Sequence, residues 1–317
     1  MGTSNEPGTP MKLAIPDFIS NSYFPAIAAA ELGFFAREGL DVTVGLTVPI
    51  ETAFDGMRND TVHFVGGSAH LMVGGFPEWE GVKLICAQSQ GMYWFLVVHA
   101  DLGLSHGDLA GLRGLRIGAA PWVAMGLRRL LIEAGLDASE NNITIEPIPG
   151  AHGAGINFGV TAAKALEEKR IDGFWANGMG AEIAIRNGIG TTLLDARRGD
   201  GPKPCFDYTM ASIAVTDDFL KHHADAAQAA VRAMAATHRA LKADVSLAGK
   251  VGRALFPPME AELIVDLVRR DLPYYDTVIR PEFVTAMTQF SRDAGILEGH
   301  PSYEDVVADG MSKFWSS

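Results

Sequence analysis

Short apolar runs, each closed by a polar or glycine-rich turn and followed by a stretch of helical period, recur along residues 11–216. That is the pattern of strands alternating with helices about a mainly parallel sheet. The first unit is the clearest: Lys12–Ile15 reads as a strand, Ser20, Asn21 and Ser22 as a polar turn, the alanine-rich segment after them as a helix, and Leu40–Leu46 as a second strand. Strand, turn, helix and strand make one βαβ unit. The turn brings hydroxyls, amides and free backbone N–H groups to a strand end beside a helix start, where a small anion or polar ligand can be held.

The alternation continues with a helix over Ile50–Asn59, the strand His63–Val65 running into Gly66, Gly67, Ser68, Ala69 and His70, a helix through Met72 and the strand Lys83–Gln88. Trp94–His99 is a fully apolar strand ending in a polar break at Ala100–Gly103. A second series follows, with strands at Leu115–Gly118, Ile143–Ile148 and Gly173–Ala176 and helices at Ala124–Ala134 and Val160–Glu168. The chain is expected to cross back near Pro204–Ser212, ahead of the strand Ile213–Thr216. Beyond Asp217, apolar periodicity predicts helices over Ala224–Lys242, Met259–Arg270, Pro281–Ala294 and Tyr303–Trp315, with Pro257, Pro258, Pro273 and Pro281 where helices should stop or start. The expected organisation is a disordered leader at 1–10, a discontinuous lobe 1 of 11–98 and 210–317, and a lobe 2 of 99–209.

Composition narrows this picture. A chain of 317 residues exceeds the size at which one core keeps growing, which favours two domains. A net charge of −12 and the lack of a basic patch exclude nucleic acid as a partner class. Cys86 and Cys205 are too few for a disulfide framework and lack metal-ligand spacing; buried thiols are the plainer reading and a single bridge the alternative. No run reaches the roughly 20 apolar residues of a membrane span. The opening MGTSNEPGTP has neither a basic nor an apolar region and is not a signal peptide. The protein is therefore expected to be periplasmic if an export signal was removed, and cytoplasmic if Met1 is the native start.

Several motifs resemble one family. Gly33, Phe34, Phe35, Glu38, Gly39, Leu40, Asp41 and Val42, after the alanine-rich helix, are similar to the opening of ABC-transporter solute-binding proteins of the nitrate, sulfonate, taurine and NMT1/THI5-like type. GLRGLRIGAAP from Gly111, ALEEKRIDGFWANG from Ala165 and DFLKHHADAAQAAVRA from Asp218 resemble later motifs of the same family, although Ala224 stands where a proline is common. The resemblance implies an α/β, two-lobe fold of the type II periplasmic-binding-protein kind, with the ligand cleft between the lobes. It also implies a small-molecule ligand, an ABC permease as partner if the protein is exported, and a monomer.

Five clusters could line such a cleft. Ser20, Asn21 and Tyr23 lie at the ligand edge that the resemblance implies, and serve equally well as a helix cap and turn. Ser68 and His70 follow two glycines that let backbone approach a ligand, and His70 is either a hydrogen-bonding or acid–base group or a capping residue. Gln90 and Tyr93 open the crossing strand, where an aromatic can stack on a planar ligand or pack the hinge. Pro121 suits a first helical turn and Trp122 would wall the second lobe or wedge between helices. His152 and Asn157 sit in a glycine-rich loop that could close over a ligand, and Trp175 and Asn177 lie in the stretch that lines the cleft in the family.

Metal and cofactor motifs are lacking. The other histidines are scattered, adjacent His222 and His223 point apart on a helix, and there is no G-x-S-x-G elbow, P-loop or G-x-G-x-x-G after a strand. Two functions remain. One is capture of a small organic anion or an aromatic or heterocyclic solute for an ABC-type importer; Trp94, Trp122, Trp175, Tyr23 and Tyr93 favour a planar or carboxylated organic ligand. The other is a lyase, a decarboxylase or an enzyme like the thiamine-pyrimidine synthase on the same fold, with His70 or His152 as acid–base group. That reading lacks a nucleophile: the resemblance extends to a sulfinate desulfinase, whose nucleophile it implies in the first polar turn, and neither cysteine falls there.

Overall fold

The computed structural model describes residues 10–151 and 157–315, and two five-stranded sheets organise them. In the first unit β1 (Pro10–Ile15) leads to α1 (Phe24–Glu31), the single turn α2 (Phe34–Arg37) and β2 (Asp41–Leu46). Helix α1 is built from alanines with one β-branched residue, starts with Pro25 in its first turn and stops before Gly33, whose φ of 74° ends it. Next come α3 (Thr52–Arg58), β3 (Phe64–Ser68), a 3₁₀ turn over Ala69–Gly74 and β4 (Val82–Ser89).

The chain then crosses to the second sheet through β5 (Phe95–His99). This unit continues with β6 (Arg116–Gly118), α4 (Pro121–Glu133), β7 (Thr144–Glu146), α5 (Phe158–Glu167), β8 (Gly173–Ala176), α6 (Gly178–Arg186) and β9 (Gly190–Asp195). It returns through β10 (Ala211–Thr216) and closes with α7 (Asp217–Ala243), α8 (Ser246–Leu255), α9 (Pro258–Asp271), α10 (Pro281–Asp293) and the short α11 (Tyr303–Val306).

The two sheets share one plan. Their orders are β2-β1-β3-β10-β4 and β7-β6-β8-β5-β9; in each, four strands share one direction and the remaining one, β10 or β5, is antiparallel to both neighbours. The reversed strand is in each case the one that arrives from the other sheet. Because βα turns follow the carboxyl ends of the parallel strands, the ends of β1, β3, β6 and β8 all face the junction between the sheets, where open α/β sheets bind ligands.

Two sequence expectations change. Tyr303–Trp315 is not one helix: after α11, Val307 bridges to Leu84 beside β4, Gly310 takes φ 72°, and only a 3₁₀ turn at Ser312–Phe314 follows. The helix through Met72 is likewise the 3₁₀ turn. Cys86 and Cys205 are free and buried. Burial pushes both thiols up, that of Cys205 to about 12, so they stay neutral. Among the described residues no helix is long and apolar enough to cross a membrane.

Candidate functional site

A cavity of about 660 Å³ lies where the two units meet. The first unit contributes the turn Pro16–Ile19 after β1, Tyr23, the Leu46–Glu51 loop after β2, and Ser68 and Leu71 after β3. The second contributes Ala120–Val123 at the start of α4 and Asn157–Thr161 at the start of α5, and the α8–α9 junction closes the third side with Phe256 and Glu260. The walls are mostly aliphatic and aromatic, with a few placed polar groups, the usual composition of a small-molecule site. The charged side chains among the described lining residues are Asp17, Glu51 and Glu260.

Asp17 ties the two units together. Its Oδ1 accepts hydrogen bonds from the Ile19 N–H at 3.1 Å and from Asn157 Nδ2, and its Oδ2 accepts from Asn177 Nδ2. Asn157 and Asn177 are the N-caps of α5 and α6, and their Oδ1 atoms accept from the N–H groups of Val160 and Gly180 at 3.0 and 3.1 Å. Asparagine does both jobs at once: its oxygen caps the helix while its amide nitrogen donates to the carboxylate. The two caps converge because α5 and α6 touch backbone to backbone. A Cβ at Gly180 would sit 2.7 Å from the Gly159 carbonyl oxygen, so no larger residue fits there.

Two helix N-termini and three donors favour the Asp17 anion. Burial opposes them and wins: the carboxyl is raised from 3.8 to about 6. Asp17 thus ionises within two units of neutrality, at the seam between the sheets.

Trp122 forms a second bridge across the cavity. Its Nε1 donates to Glu51 Oε1 at 2.6 Å, and its ring fits against the first unit because Gly74 has no side chain; a Cβ there would meet the ring at 2.5 Å. On the inner wall, Tyr23 and Tyr93 share a hydrogen bond between their hydroxyls, and Ser68 Oγ lies 2.7 Å from the Tyr93 hydroxyl. Burial raises both phenols, that of Tyr23 to about 12, so the chain of hydroxyls keeps its protons at neutral pH.

The family model described as NMT1/THI5 like matches residues 20–244, more than half of the chain. The chain belongs to the NMT1/THI5-like family. No curated protein sequence matches it. Among solved structures, this NMT1/THI5-like chain is similar to the periplasmic nitrate-binding protein of Synechocystis PCC 6803, with 14% identity, TM-score 0.70, and coverage of 96% of this chain and 88% of that one. The alkanesulfonate-binding protein of Xanthomonas axonopodis pv. citri, bound to MOPS, gives 11% identity, TM-score 0.69 and coverage of 96% and 98%. DSZB, solved as a cysteine-to-serine mutant with biphenyl-2-sulfinic acid, gives 14%, 0.63, 96% and 98%. At such identities the likeness establishes the fold, the two-lobe α/β periplasmic-binding-protein architecture.

Within this NMT1/THI5-like fold the residues singled out from sequence separate into three groups. Tyr23, Ser68, Pro121, Trp122 and Asn157 line the cavity. Asn177 and Tyr93 stand one layer behind it, acting on Asp17 and on Tyr23 with Ser68. The rest point elsewhere. Ser20 is buried in its own turn, where its Oγ accepts from the Ser22 N–H at 3.4 Å. Asn21 is buried against Asp271. Gln90 donates to the carbonyls of Asp276 and Val278, and Trp175 donates to the Val123 carbonyl from the core of the second unit.

His70, the expected acid–base candidate, is fully buried outside the cavity lining. Nδ1 lies 3.0 Å from Thr209 Oγ1, Nε2 lies 3.2 Å from the Trp122 carbonyl, and the ring packs against Trp94, Trp122 and Phe290. Burial lowers it to about 4, so it is a neutral packing residue at pH 7. The other candidate, His152, lies outside the described residues. Sequence reasoning missed Asp17, Glu51 and Glu260. Asp17 carried a usable signal, being the only acidic residue between Met11 and Glu31 and standing directly after a strand.

Proposed function

We propose that this protein is a solute-binding component that holds a small organic molecule in the interlobe cavity and passes it to an ABC-type importer. The observation that carries the reading is the cavity itself. It is built from the carboxyl ends of strands in both sheets, is walled mainly by apolar and aromatic side chains, and is bridged by Asp17 and Trp122 on opposite sides. A ligand there touches both units at once, and so favours the closed arrangement over an open one by its differential affinity. Membership of the NMT1/THI5-like family supports the same role, as does the naming of two structural neighbours as nitrate- and alkanesulfonate-binding proteins.

His70, Cys86 and Cys205 all stand outside the described lining of the cavity, which favours binding over turnover. The test is a thermal-shift screen of small organic solutes, followed by recovery of each stabilising compound after prolonged incubation. A solute at 100 times its Kd is expected to stabilise the folded protein by about 2.7 kcal/mol and to be recovered unchanged. Consumption of the stabilising compound would overturn the reading.

A further inference from the structure

Resting on that reading, we infer that the cavity selects a positively charged nitrogen base, an ammonium or amidinium carried on an apolar body, with the Glu260 carboxylate as its counter-charge, and that it rejects anions. Three observations carry this. Glu260 is 7% exposed, lines the cavity from the first turn of α9, and its Oε2 has no hydrogen-bond partner. A carboxylate oxygen withdrawn from water and left unpaired is costly, and a ligand cation whose N–H donors reach it removes that cost.

One place where an anion would ordinarily be held is already filled. Paired helix N-termini form the natural cradle for an anion, and here the starts of α5 and α6 close on the chain's own Asp17 through Asn157 and Asn177. Finally, the described lining contains three carboxylates and no lysine, arginine or histidine. Among the described lining residues an anionic solute would meet like charge and no counter-ion, whereas a cation meets opposite charge.

The experiment compares matched probes on the wild-type protein by thermal shift and titration calorimetry at pH 7.5. Benzylammonium and benzamidinium are set against benzoate, benzenesulfonate and neutral benzyl alcohol, together with the naphthyl homologues of each. The cations are expected to raise the Tm and to bind at least tenfold more tightly than the anions and the alcohol. Glu260→Gln is expected to weaken the cations at least tenfold and leave the alcohol unchanged. Should Glu260→Gln fail to fold, the charge preference of the wild type decides the matter alone. Tighter binding of the anions or of the alcohol would overturn the ligand class while leaving solute binding in place. Failure of every probe to shift the Tm would overturn both.

Discussion

Asp271→Ala is expected to lower the unfolding free energy by about 3–5 kcal/mol, the cost of leaving a buried charge without its partner. Asp271 is 1% exposed. Its Oδ2 accepts from Arg197 Nη1 at 2.7 Å and from Asn21 Nδ2, and its Oδ1 accepts from Arg198 Nη2. The Arg197 side chain is equally buried; it also donates to Ser89 Oγ at 2.9 Å and sits over the rings of Tyr93 and Tyr274. Removing the carboxylate strands Arg197 where water cannot reach it.

The cluster gathers the end of β4 and the β9–β10 return, the two places where the chain passes between the sheets, together with the turn after β1 and the end of α9. Its loss therefore loosens the crossing as well as the fold. Urea unfolding checks this, read as a lower midpoint at unchanged slope. A loss below about 1 kcal/mol would mean that the cluster is not held together by Asp271.

The second large effect is on pH dependence. Asp17 ionises at about 6 in the folded protein against 3.8 ordinarily. A carboxyl raised in the folded state binds its proton there when the unfolded chain has already released it, so stability falls as pH rises between these two values. Two units at about 1.4 kcal/mol each make the loss about 3 kcal/mol between pH 4 and pH 7. Other carboxylates titrate across the same range, which makes the informative quantity a difference. The stability of the wild type relative to Asp17→Asn is expected to decline from pH 4 to about pH 6 and to level off above it, because asparagine has no proton to lose. A flat difference would show that the seam does not shift the Asp17 carboxyl.

The alternation of strands and helices was legible because each buried strand is a short apolar run bounded by turn residues, and each helix shows an apolar face. Three elements escaped notice. Helices α6 and α8 carry glycines at positions 178, 180, 249 and 252, which lower intrinsic helix propensity; close packing explains several of them, such as Gly180 against Gly159 and Gly252 against Ile264. Strand β9, GTTLLD, is too polar at its start to stand out.

The site was half legible. Turns after strands identify the edge of a cleft, which is how Tyr23, Ser68, Pro121, Trp122 and Asn157 were found. Which side chain of a turn faces inward depends on partners far along the chain. Asn21 turns away because it meets Asp271, 250 residues distant. Asp17 turns in because two helix caps reach it. Glu260 arrives from a C-terminal helix whose placement over the cavity no local pattern records.

The central claim is that a solute occupies the space between the two units. Val160 lines that space from the first turn of α5 and is only partly buried, so Val160→Trp fills part of the cavity. Titration calorimetry of a stabilising solute against the wild type and Val160→Trp tests the claim most directly. Affinity is expected to fall at least tenfold in the variant with its unliganded Tm retained; undiminished affinity would place the binding site elsewhere and contradict the claim.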